Sequence, residues 1–416
     1  MVVFVLLSAQ YVGTIVEVSA PSFPAGNISS PYSVLQNVMI RQLISPNADA
    51  QPGGGFGFSV AASGSIVVVG AGAETAGGHA YMFKAQTGAL ISTLTSPNPQ
   101  SGGGFGFSVA ASSSIVVVGA ATQTANGQPE AGHAYTFNAT TGGLISTLTS
   151  PNPQRGGFFG SSVAASGYSV VVGAAHETAD GQQDAGHAYT FNATTGALIS
   201  TIISPNVQRT GSFGSSVATS GNIIVVGAGT ETADGLGFAG HAYTFNATTG
   251  ALISTLTSPN AQSGGVFGTS VAASDNIVVV GAVLENVNGQ SAAGHAYAFD
   301  AGTGALISTL TSPNVDSYSF FGLSVATKGN ILVVGAPSET ASGQLFAGHV
   351  YTFNVETGAL ISTLTSPNPQ SGGGFGFSVA ATGNILGVGA PFEKVNGQIA
   401  GQAYTSRLAP QNLAGL

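Results

Sequence analysis

The chain has no cysteine and no tryptophan, and only seven Lys and Arg stand against sixteen Asp and Glu in 416 residues. Without cysteine there is neither a disulfide framework nor a thiolate site, and the redox compartment is left open. Seven cations cannot neutralise a run of phosphates, which excludes nucleic acid as a partner. With a net charge of -9 and so few charged residues, the surface must be covered by Ser, Thr, Asn and Gln. Helical periodicity is missing at any useful length. So are the G-x-S-x-G elbow and the H-E-x-x-H zinc helix.

Met1–Ala20 is mostly apolar and ends in small residues, as an export signal does. No Lys or Arg precedes the apolar run, however, and Glu17 interrupts its end. Residues 1–33 therefore read either as a signal or as a lead without fold. The run is too short and broken to span a membrane. Asn27, Asn138, Asn192 and Asn246 open N-x-S/T sequons, which would carry glycans in an exported protein. The competing reading is that each Asn starts a hairpin turn, since Lys84 and Asp300 hold the equivalent place in other copies.

What the chain has in abundance is repetition. A Phe-Gly pair recurs at Phe56, Phe105, Phe159, Phe213, Phe267, Phe321 and Phe375, with spacings of 49 and then five times 54 residues. A fixed period of this size marks a solenoid, propeller or array. Each copy divides into four strands by turn signals. F-G-x-S-V-A is the first, and its small residues suit a crowded axis. The second, such as Ile66–Gly70, is a continuous β-branched run, as expected of a strand packed on both faces. The third alternates, with His187, Tyr189 and Phe191 on one side, and ends at a tight hairpin. The fourth, Leu198 to Ser204, stops at Ser-Pro-Asn because proline cannot continue an interior ladder.

Segment 38–47 aligns with the tail of a repeat, whereas the seventh copy lacks that tail. The surplus strand at the start can complete the last blade and pin the two ends together, with residues near Met39 beside those near Tyr404. The expected fold is all-β: a seven-bladed propeller of four-stranded antiparallel blades over 34–408, closed by this strand, with a polar tail at 409–416.

F-G-x-S-V-A followed by V-V-G-A-P, complete at Phe321–Pro337 and nearly so at Phe375–Pro391, resembles the FG-GAP repeat. That resemblance implies the seven-bladed propeller of integrin α chains and of many exported proteins, with a ligand-binding loop face. Calcium-binding members carry D-x-D-x-D-G between the first two strands. Here that turn is only two or three residues long, so those sites are not carried over.

Six copies place a histidine at the start of the third strand: His79, His133, His187, His241, His295 and His349, with Gln402 in the seventh. At that radius equivalent atoms of adjacent blades are too far apart to share a zinc ion, so these side chains are expected to bond locally. The loop between second and third strands repeats a glutamate. Glu177 with Asp180, and Glu231 with Asp234, are the candidates for a calcium ion; otherwise no cofactor is implied, and Asp before Gly equally marks a turn. His176 and Glu177 form a non-repeated pair that reads as a solvated loop.

Departures from the repeat locate a binding face. Arg155, Arg209, Asp316 and Tyr318 lie in inter-blade connections, and Phe238 and Phe346 in loops between second and third strands. Arginine and aromatics on a charge-poor face have the composition of binding hot spots; drift in exposed loops gives the same variation. The expected function is a secreted or cell-surface, non-enzymatic module that recognises a protein or glycan. A self-assembling subunit of a surface layer or filament is the alternative, and a glycan lyase or hydrolase the third reading.

Overall fold

A computed structural model describes residues 40–47 and 53–407. It contains seven four-stranded antiparallel sheets. Blades 1 to 6 each take four consecutive strands; the third blade, for instance, comprises Ser162–Ser166, Ser169–Ala174, His187–Asn192 and Leu198–Ile202. The first two strands join through a two-residue turn, since Ser166 pairs with Ser169. Gly167 takes φ +58° there, the left-handed conformation such a turn demands.

The seventh blade is composite. Its order is Ser378–Thr382, Ile385–Ala390, Gln402–Arg407 and, from the other end of the chain, Arg41–Leu43. Gln42 pairs with Tyr404, so the expected ring closure is present. Met39 lies outside the described residues.

The β-branched second strands are packed on both faces. Val170 and Val172 join Ala110, Ile115 and Val117 of the second blade, whereas Val171 faces Ile224 and Val226 of the fourth. The valines and isoleucines are fully buried, and each such side chain contributes about 1.5–3 kcal/mol. Phe159 of the Phe-Gly pair anchors the same layer, 5.8 Å from both the Tyr189 and Phe191 rings. Seven such inter-blade clusters make up the core.

Close to the axis the blades are joined by their backbones. Ser162 Oγ donates to the Gly214 carbonyl of the next blade at 2.7 Å. A Cβ on Gly173 would lie 2.0 Å from that same oxygen, so the V-V-G glycine is required by backbone contact. The joint recurs at every boundary, including Ser378 to Gly57 at 2.9 Å, which links the seventh blade to the first. On the outer edge the fourth strand shifts register against the third, as between Thr190 and Phe191, and this bulge interrupts an otherwise exposed edge. Among the described residues no helix is long and apolar enough to cross a membrane.

Candidate functional site

Two loop sets meet on one face of the ring and are stitched together. The connection into each blade donates backbone hydrogen bonds to the preceding blade's loop between second and third strands. Ser212 N binds Asp184 O, Val266 N binds Phe238 O, and Gly374 N binds Phe346 O, each at 3.0 Å. The donor and acceptor residues of these pairs have positive φ, from 51° to 67°. This conformation is unfavourable for any residue with a Cβ, and bulky side chains in it are outliers.

The blade-specific residues singled out above sit here. Arg155, Arg209 and Asp316 are exposed. Phe238 has φ 54° and is 52 % exposed; Phe346 has φ 56° and is 53 % exposed. Tyr318 has φ 60° and is 58 % exposed, at a position where five blades place Gly53, Gly102, Gly156, Gly264 and Gly372, all with positive φ. Its amide donates to Ser291 O at 2.7 Å and its ring meets Phe320 edge-on. These residues are spread over successive inter-blade joints of the same face rather than gathered in one cleft.

The calcium candidates are not brought together. Glu177 is fully buried, whereas Asp180 is exposed at a two-residue turn, with φ 46°, bracketed by the Ala179–Gln182 bridge. Glu231 and Asp234 repeat this separation, with Asp234 at φ 51°. Asp before Gly is turn chemistry here, while the glutamate turns into the protein. His176 and Glu177 likewise part company. His176 is exposed, 3.5 Å from Asp184, so the expectation of a solvated loop holds for His176 and fails for Glu177.

Each buried glutamate is the hub of a polar cluster that the sequence reading missed. Glu177 accepts hydrogen bonds from Tyr189 Oη and Ser150 Oγ, both at 2.5 Å. Ser150 belongs to the Ser-Pro-Asn that ends the second blade, so the cluster spans a blade boundary. His187 Nδ1 approaches the same carboxylate at 3.2 Å, off the line of a straight N–H bond, and its ring stacks on Tyr189. Burial and the adjacent carboxylate push the Tyr189 hydroxyl pKa upward, so it remains a donor. Equivalent His–Glu contacts of 2.8–2.9 Å occur at His79, His241, His295 and His349. Each of these imidazoles thus lies against the glutamate of its own blade, though its Nδ1 makes no hydrogen bond of good geometry, so the expected local bond is reduced to a close contact. The signal for burial was present: the glutamate recurs 27 residues after the serine and 12 before the tyrosine in most copies.

Two blades vary this cluster. In the second, Gln123 replaces the glutamate; it accepts from Tyr135 Oη at 2.6 Å and its Nε2 donates to Ser96 Oγ at 2.8 Å, reversing the serine bond. His133 then lacks a carboxylate, and burial lowers its pKa. In the seventh, Gln402 replaces histidine, and burial raises the Glu393 pKa to about 7.

The sequon residues Asn138, Asn192 and Asn246 each accept two backbone N–H bonds with Oδ1, at 2.9–3.0 Å, and so cap the third hairpin turn. Asp300 does the same at 2.8–3.0 Å, and hydrogen bonds from Thr303 lead in lowering its pKa. Asn27 lies outside the described residues.

The family profile described as the FG-GAP repeat matches residues 90–137, 143–191, 198–245, 252–299 and 306–353, more than half of the chain. The chain therefore belongs to the FG-GAP repeat family, as a seven-bladed propeller. Each matched segment starts on a fourth strand and ends on the next blade's third, so the sequence repeat straddles the blade boundary. A comparison with curated proteins gives no match.

Proposed function

We propose that the protein is an exported, non-catalytic binding propeller that recognises a protein or glycan at a cell surface through its stitched loop face. Tyr318 carries this reading. A bulky aromatic is exposed in a left-handed conformation that most blades assign to glycine, and strain of this kind collects at functional sites. Arg155 and Arg209, at equivalent exposed positions, add cations to an otherwise charge-poor face. The absence of catalysis is supported by the burial of the glutamate and tyrosine of the recurrent cluster, out of a substrate's reach. Binding is proposed to need no cofactor, so EDTA and calcium should leave attachment and melting unchanged. The test is attachment to cells or matrix by the Arg155→Ala/Arg209→Ala double variant. Folded protein that attaches as strongly as the wild type would remove these residues from the binding face.

One observation favours a structural role as second reading. The first leucine of the fourth strand is 44–49 % exposed in six blades, at Leu90, Leu144, Leu198, Leu252, Leu306 and Leu360, forming an apolar belt around the rim. Ordered arrays of purified protein in electron microscopy would select this reading. Dispersed particles at micromolar concentration select the adhesive one.

A further inference from the structure

The residue that follows each Phe-Gly pair forms a ring around the propeller axis at the loop face. All seven are held alike, each amide donating to the carbonyl three residues back at 2.9–3.1 Å. Phe58 shows where this ring lies. Its phenyl group is 5.3 Å from Phe107 in the second blade and 4.7 Å from Phe377 in the seventh. Equivalent side chains of neighbouring blades meet so closely only at the innermost radius. The Phe377 ring is backed by Phe392, 5.5 Å away and 39 % exposed.

The ring is two-sided. Blades 6, 7, 1 and 2 supply Leu323, Phe377, Phe58 and Phe107, a continuous apolar arc in which Phe107 is 37 % exposed. Blades 3, 4 and 5 supply Ser161, Ser215 and Thr269, a continuous arc of hydroxyls. Ser215 is exposed, Ser161 Oγ is buried without a hydrogen-bond partner, and Thr269 Oγ1 donates to Val266 O at 2.6 Å. None of the seven positions is charged. The repeat is otherwise nearly uniform, so this sorting by polarity stands apart from it.

We propose that this axial mouth binds a neutral saccharide. A pyranose presents an apolar C–H face and a rim of hydroxyls. The first matches the phenyl arc, the second the exposed Ser215 hydroxyl and the Thr269 oxygen, which can still accept. A few polar groups set into an apolar wall is the usual composition of a small-molecule site. An anionic or cationic ligand would find no counter-charge on the ring, and an apolar ligand would cover Ser215 without replacing its hydrogen bonds to water. The inference rests on the binding reading above but uses different residues.

Saturation-transfer NMR on the full chain, with neutral tetrasaccharides of glucose, mannose and N-acetylglucosamine as probes, tests the site. The Phe58→Ser/Phe107→Ser variant installs the residue that blades 3 and 4 already carry, and Ser215→Phe closes the hydroxyl arc. We expect transfer to the C–H protons of at least one tetrasaccharide. Affinity should fall by about tenfold or more in the double variant and fall in Ser215→Phe. The proposal is overturned if no tetrasaccharide binds wild-type protein, or if folded Phe→Ser protein binds undiminished. It is equally overturned if only an apolar dye such as anilinonaphthalene sulfonate binds, which would make the phenyl arc a plug. Should Ser215→Phe be the only variant that folds, undiminished binding by it overturns the proposal as well. Cell attachment indifferent to the arginines, with the saccharide pattern intact, would sink the loop-face reading and leave the axial site standing.

Discussion

Ser45, near the start of the described chain, donates its hydroxyl to the Glu74 carboxylate of the first blade at 2.6 Å. The closing strand is thus bonded on two sides: by its ladder to Gln402–Arg407 and by this hydroxyl to the neighbouring blade. Ser45→Ala removes a hydrogen bond to a buried carboxylate, worth about 2 kcal/mol. Urea unfolding should show that loss, and Ser150→Ala should show a similar one. A Ser45 variant as stable as wild type would mean the first boundary is held by the ladder alone.

Glu177 offers a sharper contrast. Glu177→Gln copies the arrangement that Gln123 adopts in the second blade and should cost less than about 1 kcal/mol. Glu177→Ala leaves Tyr189, Ser150 and His187 without their shared partner and should cost about 3 kcal/mol. Equal effects from the two substitutions would refute the hub role.

Glu393 gives the fold a pH dependence. Its pKa is about 7 in the folded protein against a reference value of 4.5. Because the folded state holds the proton more tightly, the stabilisation is complete below pH 4.5 and is lost as pH rises toward 7. The size is on the order of 3 kcal/mol. Melting temperature should therefore fall across this window. Gln402→His restores the imidazole found in other blades and should flatten the dependence; an unchanged slope would assign it elsewhere.

His133 has the opposite sign. Burial without a carboxylate lowers its pKa, so its contribution is present at neutral pH and lost as the solution is acidified below the ordinary histidine range. Gln123→Glu supplies the missing carboxylate and should raise the His133 pKa, followed by its imidazole proton shifts in NMR. No movement of those shifts would show that burial alone governs this histidine.

Tyr318→Gly separates strain from function. Relief of the left-handed backbone is worth about 1–2 kcal/mol and the added chain entropy offsets about 0.5–1. Thermal stability should thus stay level or rise slightly while attachment weakens. A substantial fall in melting temperature would make Tyr318 a structural residue.

The ring and its seam were legible because both depend on spacing. Phe-Gly intervals set the blade count, and the tail displaced to segment 38–47 dictated where the ends meet. The alternation of His187, Tyr189 and Phe191 also read correctly, since a strand has a period of two. The buried glutamates did not, because a polar residue in a loop reads as solvated until its partners from two other strands are known. Glu177 depends on Ser150 in one blade and Tyr189 in another, a coincidence no local window contains. The axial ring was passed over for another reason: its residue is the variable x of F-G-x-S, and its meaning emerges only when seven separate positions converge.

The family repeat begins on one blade's outer strand and finishes inside the next, and every boundary carries the same Ser-to-Gly joint. Duplicating one such unit within the gene would insert a whole blade without touching either terminus or the seam. Blade number is then free to change by single steps during evolution, limited by the curvature that adjacent blades accept rather than by any need to rebuild the lock.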